Sequence, residues 1–264
     1  MTHGKILVVL PTLGDRLSTL EETLESIDEQ RAQVNLQLVV ILPASATEAR
    51  KLAASQGACL VDDPRKGISH AINLGVETAT DEQYYAWIGD DDLFRVGGLH
   101  TLRTLMEESP ANVVAFGGCD YIDPAGRTIV TNRAGKSAQW LQPWGPNLIP
   151  HPGSIIRIAD MREVGLFDTD LKYAMDLDMF LKLRHRGTFV ATKSVVAAFR
   201  WHPESVTVGN RRASSRESEQ IKLRYLPTGL RPVSPLWSVP VRIAAAYAAR
   251  SISKRAASLE RGTP

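Results

Sequence analysis

Two kinds of segment alternate along the first ninety residues. Short, almost unbroken apolar runs occur at residues 5–10, 36–42, 58–61 and 84–88. Their length and branched content predict strands buried on both faces. Between them, apolar residues recur at helical spacing: Leu20, Leu24 and Ile27, then Ile72 and Val76. Helices are expected over 18–27, 47–56 and 68–78. Ser18 is expected to cap the first of these, with Glu21 completing a capping box. Gly57 closes the second. Strand and helix in alternation predict a parallel sheet covered on both faces, with ligands at the carboxyl ends of the strands. The loops at 11–16, 43–47, 62–67 and 89–92 are therefore expected along one edge.

A helix over 96–107 ends this regular rhythm. Strands are expected at 113–116, 121–122, 128–130, 154–158, 189–190 and 195–199, and helices at 160–164 and 176–186. Residues 131–150, rich in Gly, Pro, Asn and Trp, show no period, and long irregular segments are often functional. The polar stretch 209–220 reads as a mobile linker or lid. Pro227, Pro232, Pro235 and Pro240 argue against a helix before Val241. From there Val241, Ala245, Ala248 and Ile252 share one helical face.

Composition narrows the class. With 264 residues, 44% hydrophobic and 23% charged, the chain suits one large α/β domain with an appendage. Residues 1–207 are read as the domain, and 208–264 as a linker or lid followed by a basic, partly helical tail. Net charge is +2, but residues 206–264 carry +8 and residues 1–205 carry −6. A basic tail on an acidic body points to an anionic partner. The two cysteines, Cys59 and Cys119, have neither metal nor disulfide spacing. Signal-peptide and membrane-spanning patterns are not seen, so a cytoplasmic location is expected.

The chemistry concentrates where the fourth strand runs through Trp87, Ile88 and Gly89 into Asp90, Asp91 and Asp92. Three adjacent carboxylates repel one another unless a cation intervenes. Mg²⁺ or Mn²⁺ prefers oxygen ligands and is often shared with substrate phosphates. This points to a metal-bound nucleotide at a strand end; the alternative is a solvated acidic turn ahead of a helix.

Four segments together resemble the family 2 glycosyltransferases of GT-A fold, over residues 5 to about 207. They are Val8–Thr12; Lys66–Gly75 followed by Trp87–Asp92; His151–Ser154 through Gly165–Asp168 to Met175–Asp178; and Arg200–Ser205. The resemblance implies a mixed α/β sheet, a nucleotide-diphosphate sugar donor, and a glycan or lipid-linked acceptor. It implies Mn²⁺ or Mg²⁺ at Asp91 and Asp92, with His202 matching a histidine that touches metal or diphosphate in relatives. Donor contacts fall on Pro11, Thr12, Asp62, Asp63, Lys66, Gly67, Asp90 and Asp91. Asp176 matches the catalytic base, and a single base opposite the leaving group implies inversion at the anomeric carbon. His151 lies on the acceptor side, near Trp140 and Trp144. Two positions depart from the pattern: Gly89 stands where many relatives carry Asp, and Met175 where they carry Glu. These departures keep a non-catalytic nucleotide-sugar-binding protein open. A sugar-nucleotide nucleotidyltransferase is the other rival, although Pro11–Arg16 lacks its Gly-rich basic loop. With a lipid-linked acceptor, the tail is expected to contact the inner face of a membrane rather than nucleic acid, or to pack on the body or on a second subunit.

Overall fold

Successive residues of the first strand feed two different cores. The structure, a computed structural model, describes residues 3–133, 135–201 and 210–261. In β1 (Ile6–Pro11), Leu7 and Val9 join one apolar cluster while Ile6, Val8 and Leu10 join another. That division follows from the two-residue period of a strand. The β1 strand pairs in parallel with β2 (Leu36–Leu42) and β4 (Tyr84–Trp87), and β2 with β3 (Cys59–Asp62). On one face lie α1 (Leu17–Asp28), α2 (Thr47–Ser55) and α4 (Gly98–Glu107). On the other lie α3 (Ile68–Glu77), α6 (Ile158–Glu163) and α7 (Met175–Leu183), with the short α5 (Ala138–Leu141) beside them.

The described residues form one nine-stranded sheet in the order β3-β2-β1-β4-β8-β6-β9-β5, with β7 (Thr128–Asn132) also on β6. The later strands are β5 (Leu93–Phe94), β6 (Asn112–Ile122), β8 (Ser154–Arg157) and β9 (Thr188–Arg200). The β8 strand runs antiparallel to both β4 and β6, so β6 points the same way as β1 and β4. The β9 strand is parallel to β6, and β5 antiparallel to β9. The ends of β1, β4, β6 and β9 and the starts of β5 and β8 thus share one edge.

Several expectations change. The α1 helix begins at Leu17 with Arg16 at its cap and no side-chain cap bond, so Ser18 lies in the first turn and is not the cap. The short β5 strand occupies a place read as the approach to a helix; two residues show no period. The β6 and β9 strands are continuous where interrupted strands were expected. Gly117 sits inside β6 because a Cβ there would meet both Val196 methyls at 2.8 Å. Residues 211–220, within the stretch expected as a mobile linker or lid, are helical and belong to α8 (Arg211–Tyr225). The last helix, α9 (Pro235–Arg261), begins six residues early and contains Pro240. Pro235 at its first position loses no intrahelical bond. On the face shared by Val241, Ala245, Ala248 and Ile252, Ala245 and Ala248 are exposed; Trp237 and Ser253 make contacts to the body, and Ala256 is buried.

Candidate active site

The shared strand edge opens into a cleft of about 380 Å³. Pro11, Asp90, Asp91 and Asp92 line it together with His151, Met175 and Asp176. Tyr121, Phe199 and Trp201 add an aromatic wall, with ring centroids 5.6–6.5 Å apart.

Each carboxylate of the acidic loop faces a different donor. Thr12 Oγ1 donates to Asp90 Oδ2 at 2.6 Å, and Arg16 Nη1 to Asp91 Oδ2 at 2.6 Å. The Arg200 backbone N–H reaches Asp92 Oδ1 at 2.9 Å. The Arg200 guanidinium donates to the carbonyls of Asp91 and Pro124 and to the Glu22 carboxylate. It clamps the loop backbone, and its charge offsets the burial of Asp92 only in part. Burial accordingly pushes Asp90 up from the usual carboxylate range and Asp92 well above it, with Asp91 adding repulsion to both. Charge on these carboxyls is costly without a counter-ion, and a divalent cation with oxygen preference is suited to supply one. Among the described residues, however, no three metal-binding side chains converge. His202, the remaining expected ligand, lies outside the described residues.

Asp176 is the second residue of α7. Its Oδ1 accepts the Leu177 N–H at 2.8 Å, and its Oδ2 accepts Asn147 Nδ2 at 2.7 Å. Burial against the cleft walls pushes its carboxyl up to about 6, although these hydrogen bonds favour the charged form. His151 forms part of the floor, stacked on Trp87 at 4.6 Å and 12°, with Tyr85 Oη 3.2 Å from Nε2. Burial holds His151 down to about 3, so it is neutral at physiological pH.

Other expected positions lie away from these walls. Asp62 pairs with Arg50 at 2.7 Å, and Asp63 accepts the Arg65 N–H at 2.7 Å. Lys66 is exposed, and Gly67 precedes α3 with φ of 102°, a conformation that favours glycine. None of these four lines the cleft, although the next residue, Ile68, does. Trp144 meets Trp237 of α9 edge-on at 5.5 Å, and Trp140 is exposed. Arg16, Asn147, Arg200 and Glu217 carry no role in the sequence reading, although Arg200 opens the fourth segment of the family resemblance. The available signals are an arginine in the first strand-to-helix loop and one at the head of Arg200–Ser205; Asn147 sits in an aperiodic stretch that offers none.

Residues 7–157, more than half the chain, match the family described as Glycosyl transferase family 2. An uncharacterized glycosyltransferase of Rickettsia typhi is 25% identical over 194 residues, 69% of this chain and 61% of its own length. One from Rickettsia prowazekii is 24% identical over 194 residues, with the same coverage. The chain thus spans about three-fifths of these relatives. Among solved structures, the mannosyltransferase PcManGT of Pyrobaculum calidifontis, in complex with GDP-Man and Mn²⁺, superposes with a TM-score of 0.63 at 18% identity. That match covers 99% of this chain and 80% of the other. Staphylococcus aureus TarS 1–349 with UDP-GlcNAc gives 0.59 at 15%, covering 84% and 70%. The likeness is one of fold, the expected GT-A architecture. With its profile matched from β1 to the end of β8, the chain belongs to glycosyl transferase family 2.

Proposed function

We propose that this protein transfers a sugar from a nucleotide diphosphate to an acceptor hydroxyl with inversion, Asp176 acting as the base. The observation that carries the reading is the presence of Asp176 and the acidic loop in one cleft. A desolvated carboxylate that loses its proton near pH 6 suits a general base at neutral pH. Asn147 and the Leu177 N–H hold its two oxygens, so the accepting lone pair has a fixed direction. The acidic loop would hold Mn²⁺ or Mg²⁺ through Asp91 and Asp92, with His202 a further candidate ligand. A divalent ion there supplies charge to offset the departing diphosphate. Thr12 and Arg16 orient the acidic loop from the segment that follows β1. The neutral stack of His151 on Trp87 gives the acceptor side a dry floor.

The test combines a panel of nucleotide-diphosphate sugars, Mn²⁺, and the Asp176→Asn variant. The expected result is transfer or slow donor hydrolysis by wild type, lost by at least about 100-fold in the variant. Donors should raise the melting temperature of both proteins, since ligands that bind only the folded state stabilise it. Unaltered turnover in Asp176→Asn removes the base assignment.

The tail fits the same reading. Leu236, Ile243 and Tyr247 on α9 are 64–78% exposed and share a stripe, with Arg250 and Lys254 continuing it. An apolar stripe with basic neighbours suits an anionic membrane surface, where a lipid-linked acceptor in surface-polysaccharide or glycolipid assembly would lie. Co-sedimentation with anionic but not neutral vesicles is the expected outcome. No helix among the described residues is long and apolar enough to cross a membrane.

A further inference from the structure

The start of α7 is held by a residue from another helix. Ala174, its N-cap, has no side-chain cap bond of its own. Glu217, midway along α8, instead accepts three successive backbone N–H groups. Its Oε1 lies 2.6 Å from Tyr173 N and 2.7 Å from Ala174 N, and both oxygens lie 3.2 Å from Lys172 N. A carboxylate on consecutive amides at a helix start is favourable through both hydrogen bonding and the helix dipole. The α8 helix is anchored further along by Tyr225 Oη donating to Asp178 Oδ1 at 2.8 Å, and by buried Ile221. Ser214 and Ser218, on either side of Glu217, line the cleft. One helix therefore forms part of the cleft wall and fixes the origin of the helix that carries Asp176.

We propose that Glu217 is a positioning residue for sugar transfer: by capping α7 from α8, it ties the seating of α8 at the cleft to the placement of Asp176. This rests on the reading of Asp176 as base. Glu217 also acts by charge, since its carboxylate opposes ionisation of Asp176. Other titratable groups near Asp176 are Tyr85 from β4, His151 ahead of β8, Lys172 and Tyr173 ahead of α7, and Asp178 within α7. The Asp90–Asp92 loop with Arg16 lines the same cleft. All of these are retained in the variants below, so a moved pH profile reports Glu217.

The experiment compares wild type, Glu217→Ala, Glu217→Gln and, as control, Glu219→Ala, whose carboxylate pairs with Lys222 on the same helix at 3.0 Å. Three quantities are measured: kcat and KM for the donor, the pH profile, and hydrogen exchange at the amides of residues 172–174. Glu217→Ala should lower kcat by about 100-fold with little change in donor KM, as expected when a reacting group is displaced by about an ångström. Its three amides should lose protection. Glu217→Gln keeps an oxygen acceptor, so it should recover most of kcat while its acid limb moves to lower pH. Glu219→Ala should match wild type. Wild-type kcat in Glu217→Ala overturns the proposal. So does a Glu217→Gln enzyme as slow as Glu217→Ala with an unmoved acid limb, because that pattern marks a contact needed only for folding. If wild type turns over no donor, the functional reading fails and the positioning role falls with it. Amide protection lost in Glu217→Ala would then still report the cap.

Discussion

A carboxylate pushed up to about 6 sets the pH range in which Asp176 can accept a proton. Burial raises its value, so the group is protonated below that point and free above it. The kcat/KM is therefore expected to fall about tenfold per pH unit below about 6 and to level off above. Asn147 opposes the shift by donating to the charged form. Asn147→Ala should move the acid limb to higher pH, measured with any productive donor; a limb that stays put would show that Asn147 does not touch the ionising group. At this scale, the sequence could be read where chemistry is contiguous. Asp90, Asp91 and Asp92 announce themselves by adjacency. The partners that hold the site do not: Arg16 meets Asp91 across 75 positions, Arg200 meets Asp91 across 109, and Glu217 meets Tyr173 across 44. Local pattern carries no trace of such pairs.

Periodicity reached further among the elements. Strands β1 to β4 and helices α2 and α3 lie close to where alternation and spacing put them, because each element buries a face whose period matches its backbone. The failures share one cause, tertiary packing that overrides local signals. Gly117 would interrupt an isolated strand, yet the side chain of Val196 on β9 needs the space a Cβ would fill. The polar stretch at 211–220 becomes helix because Ile221 and Glu217 dock on the body. Gly75 shows the same effect on α3. A Cβ there would lie 2.6 Å from Val9 Cγ1 and 2.9 Å from Ile41 Cδ1. Gly75→Val is expected to destabilise by about 1–3 kcal/mol in urea unfolding, since overpacking outweighs the few tenths gained in helix propensity. A variant as stable as wild type would mean that α3 can lift off the sheet without loss.

Across the whole molecule, the charge of the sequence is uneven, −6 over residues 1–205 and +8 over 206–264, and α9 is fastened beside the cleft. Trp237 meets Trp144 edge-on, and Trp201 Nε1 donates to Ser253 Oγ at 3.0 Å. The face of α9 carrying Leu236, Ile243 and Tyr247 is left to solvent. Replacing these three by Asp is expected to abolish binding to anionic vesicles and leave the melting temperature within about 2 °C, because exposed positions contribute little to stability. Retained vesicle binding would move the contact to another surface. Composition disclosed the charge division; it could not disclose which side of α9 packs, since the spacing of Val241, Ala245, Ala248 and Ile252 suits a membrane face as well as a packed one, and Ala245 and Ala248 are exposed.

The tie between Asp92 and the backbone of Arg200 also bears on how the chain comes into being. The acidic loop is made early, but the amide that steadies its last carboxylate emerges from the ribosome 108 residues later. The β5 strand must likewise wait for β9, and β4 for β8. A nascent chain arrested before residue 200 should therefore fail to recognise a nucleotide diphosphate, however complete its first four strands, and should gain that ability abruptly once β9 clears the exit tunnel.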